Sequence, residues 1–495
     1  MLSNKSSSAF EVWALGIALV IGGQTVAWNF GFVAGTISYG LAVFVIGMTH
    51  LCMVFSIAEV ASVVAFHGGV YGLARCTLGF YFGYMAGCCE LLEYALLVTA
   101  SSIALAALIV DQWPSVRPYT PVICLVNQTV SYTVFLLGRR ILWRYTVVLV
   151  IVTFMILFLY FFSAWSLANV KEYGGGMDYA FVGGLPAFIA VLPHATWMFS
   201  GIEALNTLGN DLTDPKRLTP KGQVTAMCTL LATACCTFIT TISLPPGVEA
   251  LPAVYGSMTG GFSAAFNLPE ASSRLFSLPA TIASNATLIL PANNILVAMA
   301  ESKLLPIKLA ECHPRYGTNV NAPAALMVVT TGFCFVLFYA GSHVGWFYNV
   351  CLVCCLLSYI AQCAGFVYLR RHHKHMTRLY VSPVGIPGAV FAMAVFGTSI
   401  VSVLFFQGDG YSAIVATATT LVLLTAYYHV FAKSHQTLSD DERALFFAHV
   451  AKFNARSKNP NSKTGSASWF SIGLFPSTTK IHRKIRVKPS NSLPS

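Results

Sequence analysis

From Glu11 to Ala432 the chain passes through one apolar stretch after another, with short polar connections between them. Most stretches are close to the roughly 20 residues that an α-helix needs to cross the hydrocarbon core of a bilayer. Only 9% of residues are charged and 56% are hydrophobic, whereas soluble domains carry about 25% charged residues. A soluble fold cannot hide that much apolar surface. Period-2 alternation is absent, so a β-barrel is not expected. Spans are expected at 11–34, 39–65, 80–110, 119–138, 144–168, 185–209, 222–244, 275–300, 323–341, 346–369, 386–406 and 411–432. The fold class is therefore an all-α polytopic membrane protein with 12 transmembrane helices. No cleavable signal segment is expected, because the first apolar run is long enough to span.

Charge placement orients these spans. With residues 1–10 in the cytoplasm, only Arg117, Lys171 and Arg274 of the 29 Lys and Arg fall in outer loops. Inner loops carry Arg139, Arg140, Arg144, Lys216, Arg217, Lys221, Arg370, Arg371, Lys374 and Arg378. That asymmetry follows the positive-inside rule and puts both termini in the cytoplasm. The net charge of +11 then reports topology and contact with an anionic inner leaflet, not nucleic-acid binding. Residues 433–495 form a basic cytoplasmic tail. Within it, TLSDDERALFFAHVAKF opens with Ser439 and Glu442 at capping-box spacing and predicts a short amphipathic helix. No Asn-x-Ser/Thr triplet falls in an expected outer loop, so glycosylation does not distinguish the plasma membrane, the first expectation, from an internal membrane. Fourteen cysteines show no metal-ligand spacing and read as small packing residues. No metal or cofactor is expected.

Two spans contain helix breakers near their middles. The first reads EVWALGIALVIGGQTVAWNFGFVAG, with Gly22-Gly23-Gln24; the sixth carries Ser200-Gly201. Glycine pairs in apolar helices commonly mark close packing. Paired interruptions in matching spans of two five-helix halves point instead to an inverted-repeat transporter. The halves would be 11–168 and 185–369, with 386–432 appended. An unwound segment in a membrane persists only where its free N–H and C=O groups find partners. Half-helix ends present partial positive charge to an anion and carbonyls to an ammonium, which suits a zwitterion or a small amine. Glu203 follows the second break, where the helix dipole favours a carboxylate; it either stabilises the break or titrates during transport. Glu90 and Glu93 lie three apart, on nearly one face of the third span. They read as cation binding, proton handling, or pairing with polar groups. Glu59, at the end of the second span, reads as an interfacial or gate residue. Asp211, Asp214, Lys216 and Arg217 read as surface pairs or an inner gate. His194 has no acid nearby in sequence, and an enzymatic role is not expected.

The chain resembles the amino acid–polyamine–organocation superfamily of permeases. The resemblance runs from Glu11 to Phe431 and is carried by GIALVIGG, HGGVYGLAR (67–75), WMFSGIEALNTLGNDLTDPKRLTPKG (197–222) and ESKLLPIKLAECHPRYGTNVNAPAAL (301–326). AWNFGF and CELLEYALLVTASSIAL are similar to the ethanolamine permease branch. That branch often has an acid where this chain has Gln24. The resemblance implies a secondary transporter for small amino acids or amines, ethanolamine among them, working by alternating access. Coupling to protons is the family habit, and the lysine in span five that mimics sodium in some relatives is absent. It implies that Trp197, with Phe199 beside it, lines or gates a substrate site built on Gly22, Gly23, Gln24, Ser200 and Gly201. It also places Glu93 beside that site, leaving Glu203, Glu90 and Glu59 for gating or proton handling. The competing class is a nutrient sensor or accessory membrane subunit that kept the fold and lost transport. Its signature would be a spoiled site, and the residues of both breaks are present here.

Overall fold

The computed structural model describes residues 8–26, 28–311, 319–341, 345–438 and 442–443. Apart from residues 433–438 and 442–443, the basic tail and its expected amphipathic helix lie outside the described residues. Among the described residues there is no β-strand. Ten helices are long and apolar enough to cross a membrane, and a bent pair makes an eleventh candidate. The elements used below are α1 (Ala9–Val26), α2 (Thr36–Val63), α3 (Val70–Thr77), α4 (Phe80–Gln112), α5 (Thr120–Leu136), α6 (Arg139–Ala164) and α7 (Gly184–Val191). They continue with α8 (Pro215–Ile242), α9 (Leu278–Glu301), α10 (Asn321–Ala340), α11 (Gly345–His372), α12 (Gly385–Phe405) and α13 (Ser412–Tyr427). Each expected span coincides with one of these helices or with the bent pair. The fourth span corresponds to α5, whose 17 residues fall just short of the roughly 20 that a crossing helix needs.

Burial sorts the helices. α9 is the central one, with 94% of its apolar window inside the protein. It packs on α4, α1, α6 and α5. Its sequence is too polar for a lipid-facing helix, and Ser284, Asn285, Thr287, Asn293 and Asn294 are all buried. A buried amide in a membrane protein needs partners from protein or from an enclosed water. Asn285 is: its Nδ2 donates to the Val98 carbonyl, Ser101 Oγ and Ser102 Oγ at 2.9, 3.0 and 2.9 Å. Its Oδ1 accepts from Ser131 Oγ at 2.8 Å. One side chain thus ties α9 to α4 and α5. α6 is the opposite case. It exposes Val148, Met155, Phe158 and Phe162, apolar side chains that suit contact with hydrocarbon.

The connection between α8 and α9 carries two short helices, Thr259–Phe266 and Glu270–Arg274. It is pinned to the end of α1. Asn29 Nδ2 donates to the Leu251 and Val254 carbonyls at 2.7 and 2.8 Å. Trp28 Nε1 donates to Ser257 Oγ at 3.0 Å, and the Ser257 amide donates to the Thr25 carbonyl at 3.1 Å. The Arg274–Asp111 ion pair, at 2.6 Å, holds the far end of the same connection to α4.

Candidate functional site

The sixth span is broken where the sequence places the break. α7 runs into a 3-10 turn, Leu192–Met198, and a second 3-10 segment, Ile202–Asn210, leaves at a bend of 41°. Pro193 removes an amide donor at the tightening. Gly201 has φ +101°, a conformation that costs any residue with a Cβ. The freed groups find local partners. Thr196 O accepts from the amides of Phe199 and Ser200, both at 2.9 Å, and from Ser200 Oγ at 3.0 Å. Glu203 folds back, and its Oε2 accepts from the Gly201 amide at 3.2 Å.

The first span differs from expectation. α1 stays helical through Gly22, Gly23 and Gln24 to Val26, and a 3-10 turn begins only at Asn29. Gly22 is where α9 docks on the unbroken α1. Ser284 Oγ of α9 accepts from the Gly22 amide at 3.2 Å and donates to the Ala18 carbonyl at 2.9 Å. One hydroxyl thus ties the central helix to both ends of a single turn of α1. Gly23 is there for close approach: a Cβ on it would lie 1.9 Å from the Trp197 carbonyl oxygen. Gln24 is fully buried. Its Nε2 donates to the Met198 and Leu230 carbonyls at 3.1 and 3.0 Å, and its Oε1 accepts from Thr233 at 2.8 Å. The amide is consumed in holding the broken sixth span to α1 and α8.

Above these two elements lies a cavity of about 500 Å³. Gly22, Gly23, Ser284, Trp197 and Ser200 form its deep end. Phe30, Tyr255 and Tyr348 provide aromatic wall, and Gln407 and Asp409 lie on the connection that follows α12. Of the sequence-expected substrate residues, Gly22, Gly23, Trp197 and Ser200 line it. Gln24, Phe199, Gly201 and Glu93 do not: Phe199 is fully buried against His50, with ring centroids 5.4 Å apart. The sequence reading set aside His194 and overlooked Asp409, and both line the cavity. Asp409 is its sole carboxylate, and no Lys or Arg is present among its described lining residues.

Beneath the cavity floor Glu90, Glu93 and Glu203 form one cluster, each fully buried. Tyr94 Oη lies 3.2 Å from Glu90 Oε1 and 3.0 Å from Glu203 Oε1. Glu93 Oε1 accepts from Tyr359 Oη at 3.0 Å, and its Oε2 from Ser358 Oγ at 3.1 Å. Glu93 and Glu203 are electrostatic neighbours within this cluster. None of the described ion pairs includes any of the three. The link to the cavity is Ser200, whose Oγ is 3.7 Å from Cys355 Sγ, one turn from Tyr359. Among the described residues no group of His, Cys, Asp and Glu is arranged to hold a metal ion.

The family model for amino acid permeases matches residues 8–431, nearly the whole described chain. The chain belongs to the amino acid permease family. It is also 25% identical over 423 residues to an uncharacterized transporter of Rhizobium meliloti (strain 1021), covering 81% of this chain and 87% of that protein.

In this permease the remaining sequence-expected acids belong to framework contacts. Glu59 is paired with two cations, Arg378 Nε at 2.9 Å and Arg370 Nη1 at 3.5 Å. It also accepts from the Ser382 amide at 2.8 Å. It clamps the connection between α11 and α12 and takes no part in the acid cluster. Asp211 is buried, not a surface residue. Its Oδ1 meets Arg139 Nε at 2.7 Å, and its Oδ2 accepts from Asn294 Nδ2 at 2.7 Å. Asp214 and Arg217, 3.6 Å apart, are the exposed pair of that region.

Proposed function

We propose that this permease is a proton-coupled secondary transporter of small amino acids or amines, working by alternating access. The carrying observation is the cavity at the broken sixth span. It joins the glycines of α1 and the broken sixth span to aromatic walls in about 500 Å³, a volume within the usual range for small-molecule sites. Its charge pattern supports a substrate with an ammonium group. Asp409 and the aromatic faces of Trp197, Tyr255 and Tyr348 attract a cation, and no Lys or Arg among the described lining residues offsets them. The volume exceeds what ethanolamine alone requires, so ethanolamine is one candidate among larger amines and amino acids. Both termini are assigned to the cytoplasm by the charge asymmetry of the loops. On that assignment the cavity reaches toward the outside, while the Arg139–Asp211 pair and the Glu59 clamp close the inner end. Transport then requires the second half of the sixth span to leave Arg139 and Asn294.

Uptake into proteoliposomes tests this reading. Labelled ethanolamine is competed by neutral, basic and acidic amino acids, with and without an inward proton gradient. Neutral or basic compounds should compete, acidic ones should not, and the gradient should raise accumulation. Absence of flux for every compound would leave a sensor with a permease fold.

A further inference from the structure

We infer that Glu90, Glu203 and Tyr94 share a proton in the resting permease, and that a water held by Asn206 and Gln362 connects that proton to the inner end. This rests on the proton-coupled reading and names its path.

The hydroxyl count at Tyr94 carries the first half. A phenol has one proton to donate. Tyr94 Oη lies within hydrogen-bond distance of two carboxyl oxygens, Glu90 Oε1 at 3.2 Å and Glu203 Oε1 at 3.0 Å. It can donate to one of them only. The other contact is a hydrogen bond only if that carboxyl carries a proton and donates to the phenol oxygen. Electrostatics requires the same: three buried carboxylates with no cation among them cannot all be ionised. The proton can cross the bridge without a charged phenol. One carboxyl gives its proton to Tyr94 as Tyr94 gives its own to the other, and only the direction of the hydroxyl changes.

The second half rests on a separate cavity. Glu90 is the acid nearest the inner end. Its Oε2 accepts from the Val70 amide at 3.1 Å, and a Cβ on Gly69 would lie 3.0 Å from its Oε1. Gly69 and Val70 also line a cavity of about 20 Å³. That is enough for one water, which needs roughly 10–15 Å³ and two to four polar partners. The same cavity is lined by Asn206 and Gln362. Asn206 Nδ2 donates to Gln362 Oε1 at 3.2 Å, while the buried Asn206 Oδ1 and Gln362 Nε2 have no partner among the described residues. Gln362 is 1% exposed. An acceptor and a donor left over at a one-water space are what a bridging water requires. The path then runs from Ser200 at the cavity floor, through Glu93 and Glu203, across Tyr94 to Glu90, and out past residues 64–69.

Infrared spectroscopy of the reconstituted protein reads this without any substrate. At neutral pH the wild type should show a protonated-carboxyl band that Glu90→Gln or Tyr94→Phe shifts. On transfer to deuterated water that band should exchange at least tenfold more slowly in Gln362→Leu and in Asn206→Leu, each verified as monodisperse after purification. Absence of the band would overturn the shared proton. Unchanged exchange in both leucine variants would overturn the water path. Counterflow of labelled substrate by the wild type, which needs no net proton movement, tests the transport reading independently of either result.

Discussion

At the residue scale, the two glycine positions of the site do different jobs. Gly23 lets the Trp197 carbonyl oxygen come to where a Cβ would be, at 1.9 Å. Gly201 adopts a positive φ of 101° at the bend. Gly23→Ala must push α1 away from the broken span, an overpacking that costs about 1–3 kcal/mol. Gly201→Ala meets no clash, since its nearest neighbour is the Leu19 carbonyl oxygen at 3.4 Å, and it bears only the cost of the left-handed backbone, about 1–2 kcal/mol. Both should fold, with lower melting temperatures in detergent. Gly23→Ala should lose most uptake, because it moves the cavity floor; Gly201→Ala should keep a measurable fraction. Equal uptake in the two would show that the close approach is not what the site needs. Asp409 gives a second residue-scale prediction. Asp409→Asn should weaken uptake of simple amines at least several-fold more than uptake of zwitterions, in a side-by-side competition assay. A zwitterion brings its own carboxylate, so it depends less on the acid in the wall.

At the element scale, one side chain ties α1 to the central helix. Ser284 Oγ bridges the Gly22 amide and the Ala18 carbonyl. Ser284→Ala removes both side-chain bonds and the hydroxyl that lines the end of the cavity. The variant should lose about 1–3 kcal/mol, two hydrogen bonds at roughly 0.5–1.5 kcal/mol each, and should also transport less, because the end of the cavity has lost its hydroxyl. A thermal melt together with initial uptake rates decides it; lower stability with unchanged uptake would mean that Ser284 is only packing. This element also marks where sequence reading stops. The break at Ser200-Gly201 was legible because it lies mid-span, matches a second glycine-rich place upstream, and is followed by an acid. Gly22-Gly23 was legible as a special place, but its purpose was not. The partner that meets α1 there is a serine more than 250 residues away, on a helix whose polar residues look unremarkable in one dimension. Gln24 misled for the same reason. A polar side chain beside a break resembles a ligand-binding group until its three hydrogen bonds to the framework are seen. Glu90 and Glu93 were placed on one face by spacing alone. Their convergence with Glu203 through Tyr94 depends on two spans crossing, which no local pattern encodes. Asp409, in a short polar connection, carried no signal above that of an ordinary loop.

At the scale of the whole molecule, a question remains for HGGVYGLAR, the motif that contributed to the family resemblance but not to the cavity. Its arginine, Arg75, is buried at the end of α3 and is met there by the far end of the described chain. Arg75 Nη1 pairs with Glu442 Oε1 at 3.0 Å, and both side chains are fully buried. The Thr437 carbonyl accepts from Nη1 and Nη2 at 3.1 and 3.2 Å, and Tyr71 Oη is 2.6 Å away. The Thr437 amide in turn donates to the Ser302 carbonyl at 2.9 Å, at the end of α9. The residues after α13 therefore join α3 to the central helix. Removing one member of a buried pair leaves an uncompensated charge, which costs about 3–5 kcal/mol, whereas replacing both by apolar side chains of similar size is often neutral. Glu442→Ala should accordingly lower the melting temperature sharply, and truncation after Thr437 should do the same. Arg75→Met combined with Glu442→Leu should recover most of the loss. A double variant no more stable than Glu442→Ala would mean that the hydrogen bonds from Arg75 to Thr437 and Tyr71, not its charge partner, hold this end of the bundle together.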